Sequence, residues 1–161
     1  MKYLLLYLSI LTSSLAYSQQ EISKEVLMGS WKFIQLQDEN GVKHTEIPMY
    51  FQGEKTVEII NRDDYIFFEN GDYKCSNKYS SGGGKWIYNK NKNKNNNTID
   101  LTLRILSDNP SFQSLLNYNV VSKAQDGYYY QKPISLRIES YSDNQLIIAD
   151  SYPYVLVYKR L

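Results

Sequence analysis

Between Ser30 and Arg160 apolar and polar residues mostly alternate, and the three-to-four spacing of an amphipathic helix is nearly absent. The clearest run is Thr98–Ile105. Ile99, Leu101, Leu103 and Ile105 fall on one side of an extended chain, and Thr98, Asp100, Thr102 and Arg104 on the other. Ile134–Glu139 repeats the pattern, with Ile134, Leu136 and Ile138 opposite Ser135, Arg137 and Glu139. Strands with one dry and one wet face belong in antiparallel sheets. Further strands are predicted at Ser30–Gln37, Thr56–Ile60, Lys85–Asn89, Tyr118–Ala124, Gln145–Ala149 and Tyr154–Arg160. Turn-forming residues separate them at Asp38 to Gly41, Ser80 to Gly84, Asp126-Gly127 and Ser142 to Asn144.

Tyr65–Ser76 reads as a hairpin around Asn70-Gly71, the favoured pair for a type I′ turn. A two-residue loop sets Phe68 opposite Tyr73 and Ile66 opposite Cys75. Opposed residues share a face, so this register predicts that Ile66, Phe68, Tyr73 and Cys75 all point inward.

The count comes to about nine or ten strands, most joined by short loops. An all-β fold follows. An antiparallel up-and-down barrel of about 8–10 strands is the economical form, since closure removes exposed edges. A β-sandwich is the alternative; it needs longer crossing connections, and Leu106–Asn117 is one candidate. The same stretch suits a short helix, with Pro110 near its start and Phe112, Leu115 and Leu116 on one side. Asn89–Asn97 is a low-complexity Asn/Lys tract that disfavours strand and core, and it is predicted to be a loop.

The N-terminus bears on the compartment. Lys2 precedes an apolar run from Tyr3 to Leu15, too short to span a bilayer comfortably, and Ala16-Tyr17-Ser18 is a small-x-small site. Residues 1–18 are predicted to be a signal peptide cut before Gln19, leaving 19–161 as one exported, soluble domain, periplasmic or extracellular. Gln19 rather than cysteine at the new terminus argues against lipid anchoring there. Loss of Lys2 leaves equal numbers of basic and acidic residues, a balance that argues against nucleic acid and against an electrostatic membrane clamp. Cys75 is the sole cysteine, so no internal disulfide forms and the core must supply the stability.

No catalytic constellation emerges. Ser142-Asp143-Asn144 lacks the partner motifs of a β-lactamase, and Gly82-Gly83-Gly84-Lys85 is followed by Trp86 where a phosphate loop has Ser or Thr. His44 is the sole histidine and has no metal-spaced partner. The chain reads as a non-enzyme with no metal and no cofactor. Aromatics stand out instead. Strand parity places Trp31, Phe33, Phe68, Tyr73, Trp86, Tyr88, Tyr154 and Tyr158 on the inward face. They either fill the barrel or line a cavity with tyrosine hydroxyls as polar anchors.

Leu27-Met28-Gly29-Ser30-Trp31-Lys32-Phe33 resembles the opening of lipocalins and of bacterial lipocalin-like domains, where Gly-x-Trp starts the first strand after a short helical turn, here Ile22–Leu27. Phe68-Glu69-Asn70-Gly71-Asp72-Tyr73, Gly84-Lys85-Trp86 and the closing strand Tyr154–Arg160 resemble the bacterial group in the same order. The Thr-Asp-Tyr of true lipocalins is absent late in the chain, which leaves the looser lipocalin-like group. The resemblance spans Leu27 to Arg160. It implies a barrel with a small-molecule pocket, and a basic residue of the last strand packed over the first-strand tryptophan.

The expectation that follows is an exported protein binding a small, largely apolar molecule, with Phe68, Tyr73, Trp86, Tyr88 and Tyr154 as ligand-binding residues. The alternative is an interaction or structural module with a filled core and no ligand. Parity on the last strand gives one further expectation. Lys159 prefers water, so Arg160 falls on the inward side and reaches the face of Trp31.

Overall fold

The computed structural model describes residues 22–91, 96–142 and 144–161. The expected signal peptide and its cleavage site lie outside the described residues, as do the middle of the Asn/Lys tract and Asp143. In chain order the elements are α1 (Lys24–Leu27), β1 (Gly29–Gln37), β2 (Lys43–His44), β3 (Glu46–Phe51), β4 (Glu54–Ile59), β5 (Asp64–Phe67), β6 (Asp72–Ser76), β7 (Ser81–Asn89) and β8 (Thr98–Ile105), followed by α2 (Phe112–Asn117), β9 (Val121–Lys123), β10 (Tyr129–Gln131), β11 (Ile134–Ser142), β12 (Gln145–Ala149) and β13 (Val155–Arg160).

Eight of these strands close a ring. The antiparallel pairings run β1-β5-β6-β7-β8-β11-β12-β13 and back to β1. Neighbours in the ring are neighbours in chain order, so the barrel is up-and-down. Two connections carry inserted hairpins. The β1–β5 connection holds β2 and the separate two-stranded sheet β3–β4; the β8–β11 connection holds α2 and the pair β9–β10. Ring strand β8 forks: Thr98 to Leu101 pair with β11, while Arg104 and Ile105 pair with β10.

Core positions follow the alternation except at two bulges and on β13, where Leu156, Val157 and Tyr158 are buried in succession. Trp31 and Phe33 point inward on β1, an irregularity falls between Phe33 and Gln35, and Leu36 then resumes the inward side with no exposure. On β11 a second irregularity lies between Ile138 and Ser140, after which Tyr141 is the buried residue. A bulge adds one residue and flips the parity beyond it. Rings in the lumen lie in contact. Phe67 and Trp86 have centroids 4.9 Å apart, Tyr65 and Tyr158 5.7 Å, Phe33 and Tyr158 5.7 Å, and Trp31 and Tyr141 6.0 Å edge-on. Offset and edge-on contacts at this range are the favourable ones, and these side chains fill the central layers of the barrel.

The β5–β6 turn is not type I′. Phe68 N–H donates to Asp72 O, Gly71 N–H donates to Phe68 O, and only Gly71 adopts positive φ, at 81°. This is the longer loop in which a type I turn ends in a left-handed glycine. The added residue moves β5 by one position: Phe67 faces Tyr73 and Tyr65 faces Cys75, so Tyr65 and Phe67 point inward. Ile66 and Phe68 lie on the outer face instead. Cys75 does point inward and is half-buried. The glycines read as a loop at Gly82–Gly84 belong to β7. The strand placed at Thr56–Ile60 lies in the small sheet outside the ring, paired with β3, for which no strand was expected.

Candidate functional site

One end of the barrel is sealed by α1. Trp31 is 1% exposed, and its indole N–H donates to Leu27 O at 2.8 Å. The Arg160 guanidinium lies over the same indole, 5.0 Å from the centroid. Its Nη2 donates to Val26 O at 2.5 Å and Met28 O at 2.8 Å. One arginine thus stacks on the tryptophan and satisfies two carbonyls at the helix C-terminus, the end where positive charge is favoured. Trp86 Nε1 donates to Phe68 O at 2.9 Å, and the Tyr88 hydroxyl donates to Ile22 O at 2.7 Å. Helical turn, Gly-x-Trp entry, eight-strand meander and arginine latch now stand together. The fold is a lipocalin-like barrel.

No protein-family model matches the sequence, and no curated protein matches it. Two solved structures are similar. A lipocalin-like protein from Bacteroides uniformis is 14% identical, with 84% of this chain and 99% of that chain covered at a TM-score of 0.45. An uncharacterized protein from Bacteroides eggerthii is 17% identical, with 83% and 98% covered at a TM-score of 0.42.

A cavity of about 1160 Å³, half open to solvent, runs along the wall formed by β5, β6, β7 and β8 and under the loop that precedes β10. Its lining includes Phe68, Tyr73, Lys74, Gly83, Arg104 and Tyr128. The glycine run shapes it. A Cβ on Gly83 would come within 2.5 Å of Tyr73 O, and one on Gly84 would collide with Thr102 O. Here β7 approaches both neighbours too closely for any side chain, which is the usual meaning of glycine inside a strand.

Of the expected ligand-binding residues, the cavity brings together Phe68 and Tyr73, Phe68 on the outer face where β5 runs into its turn. Trp86 is buried in the lumen, Tyr88 is tied to the sealed end, and Tyr154 packs edge-on against His44 at 5.3 Å. Lys74, Arg104, Tyr128 and Tyr130 were not foreseen as site residues. Arg104 lies over the Tyr128 ring at 4.8 Å, Lys74 over Phe68 at 5.9 Å, and the Tyr130 hydroxyl donates to Asp126 at 2.8 Å. Lys85 is held by Asp72 at 2.5 Å.

Burial controls the titratable groups of the wall. It pushes the Cys75 thiol up to about 11, with help from Asp63. Burial likewise raises the hydroxyls of Tyr65, Tyr73 and Tyr158 well above the ordinary tyrosine value. Each group is neutral in the folded protein and ionises more readily once unfolded. Stability contributed this way is complete below the unfolded pKa and is lost as pH rises, starting near the ordinary thiol value of 9 and steepening once tyrosines ionise. Melts at rising pH are expected to show a falling midpoint from about pH 9, with phenolate absorbance of the buried tyrosines appearing only with unfolding. Native Cys75 is expected to react with a thiol reagent much more slowly than in denatured protein. Rapid stoichiometric labelling of folded protein contradicts its inward placement.

Proposed function

We propose that the chain is an exported small-molecule-binding protein whose ligand has a largely apolar body and occupies the cavity along β5 to β8. The observation that carries the reading is the cavity itself. At about 1160 Å³ it has room for a drug-sized molecule, and it sets aromatic surface from Phe68 and Tyr128 beside the charged side chains of Asp72, Lys74, Lys85, Arg104, Asp108 and Asp126. The lumen offers less, because its central layers are occupied by the protein's own rings. Among the described residues, no group of His, Cys, Asp and Glu is arranged to hold a metal, and no helix is long and apolar enough to cross a membrane.

A second reading, an interaction module, is favoured by the β3–β4 hairpin. Tyr50, Phe51 and Ile59 there are 76%, 66% and 76% exposed, more apolar surface than a small hairpin ordinarily shows to water.

Native mass spectrometry of protein recovered from its own host tests both readings. Polypeptide mass beginning at Gln19, with a small molecule bound at one equivalent, is the expected result. A membrane-bound product retaining residues 1–18 overturns export. A ligand-free spectrum dominated by dimer or by complex with another chain favours the interaction module.

A further inference from the structure

The outer face of the wall carries an ordered row. Ile66 pairs with Lys74, Lys74 with Gly83, and Arg104 with Tyr130. Gly84 pairs with Leu103, so one step along the antiparallel ladder sets Gly83 across from Arg104. Opposed residues share a face. Two cations therefore stand on either side of a position with no side chain, with apolar or aromatic residues beyond them. Strands lie about 4.8 Å apart, so the Lys74 and Arg104 backbones are separated by roughly 10 Å across bare Gly83 backbone, a gap the two side chains can bridge around one small group.

The charges in the cavity are unequally committed. Lys85 is paired with Asp72, which also receives a hydrogen bond from Asn70 at 2.8 Å. Asp126 accepts from Tyr128 N–H and from the Tyr130 hydroxyl. It lies in the electrostatic range of Arg104, as does Asp72. Asp108, in the turn beyond β8, is the third acid of the lining. Lys74 and Arg104 rest on aromatic faces, and no described carboxylate lies within ion-pair distance of either. A cation on a ring is attracted weakly and keeps its donors available; an arginine fork is suited to a planar anion.

We propose that the cavity selects a small aromatic anion, its ring lying over the Gly83 backbone between Phe68 and Tyr128 and its acid group held by Lys74 and Arg104. The proposal rests on this cavity being the ligand site. Fluorescence titration with two probes of nearly the same shape tests it: anilinonaphthalene sulfonate, an anion, and uncharged phenylnaphthylamine. The anion is expected to bind roughly tenfold tighter at low salt, as one charge-assisted contact provides, with the advantage shrinking as salt is added. In a Lys74→Gln, Arg104→Gln variant the two affinities should converge while that of the uncharged probe stays put. Both replaced residues are on the wet face, and a circular-dichroism melt confirms that the variant is folded. Equal affinities in the original protein, or an anion preference that survives the double substitution, overturn the charge selection and leave the cavity standing. Binding of neither probe removes the cavity as ligand site and the proposal with it.

Discussion

Replacing Trp31 by alanine is expected to lower the melting midpoint by roughly 10–20 °C, since truncating a buried tryptophan costs about 3–5 kcal/mol and each kcal/mol moves the midpoint of a domain this size by a few degrees. Trp31 is nearly the largest loss the barrel can suffer. Its ring meets Tyr141, its N–H satisfies Leu27 O, and its face carries Arg160. Arg160→Ala should cost less, about 2–4 kcal/mol, from the lost stacking and the two carbonyls left without a donor. The two losses should not add. With the indole gone, the guanidinium keeps its carbonyl partners but has no face to lie on, and a double-mutant cycle is expected to show about 0.5–2 kcal/mol of coupling. Additive losses mean that the two strands meet there without the arginine latch contributing.

Gly84→Ala is expected to destabilise by about 1–3 kcal/mol, toward the upper end, because the added methyl meets backbone that cannot step aside. Its Cβ would strike Thr102 O and lie 2.9 Å from Arg104 N. Relief requires prising β7 from β8, which also distorts the cavity wall. Gly82→Ala is the internal comparison. Its Cβ meets Leu103 Cδ1 at 3.0 Å, the end of a side chain that can rotate away. That change should cost well under about 1 kcal/mol. Parallel thermal melts decide the matter, and equal melting midpoints for the two variants contradict the close approach at Gly84.

Most ring strands were legible because each has one dry side. Thr98–Ile105 and Gln145–Ala149 appear where alternation puts them, and the Trp31–Arg160 contact followed from parity on the first and last strands. The β5 register was not legible. Ile66, Phe67 and Phe68 are three apolar residues in succession, so alternation assigns them no face and the turn alone decides. Asn70-Gly71 serves two turn types that differ by one residue, and the Asn70 side chain, accepting from Asp72 N–H, goes with the longer one. β3 escaped because it has no dry side: all but Ile47 of its six residues are exposed. Gly82–Gly84 looked like a linker because glycine gives a strand nothing to pack, yet here the absence of a side chain is what the neighbouring backbones require. Lys74 and Arg104 sit at ordinary wet positions in the sequence. Only the strand register brings them to either side of one glycine.

The closed ring owes none of its ladder to the two inserted hairpins. β3–β4 pairs with no ring strand, and of the ring strands β9–β10 pairs only with the end of β8. Frame and fittings are therefore separable. Tyr128 and Tyr130, which form one bank of the cavity, are carried by the second insert and its loop, whereas Lys74, Gly83 and Arg104 belong to the frame. Exchange of that insert for another of similar span would retool one bank of the site while the barrel kept its strand order, its register and its sealed end. Diversification of this scaffold can proceed by swapping a detachable part rather than by rebuilding the core.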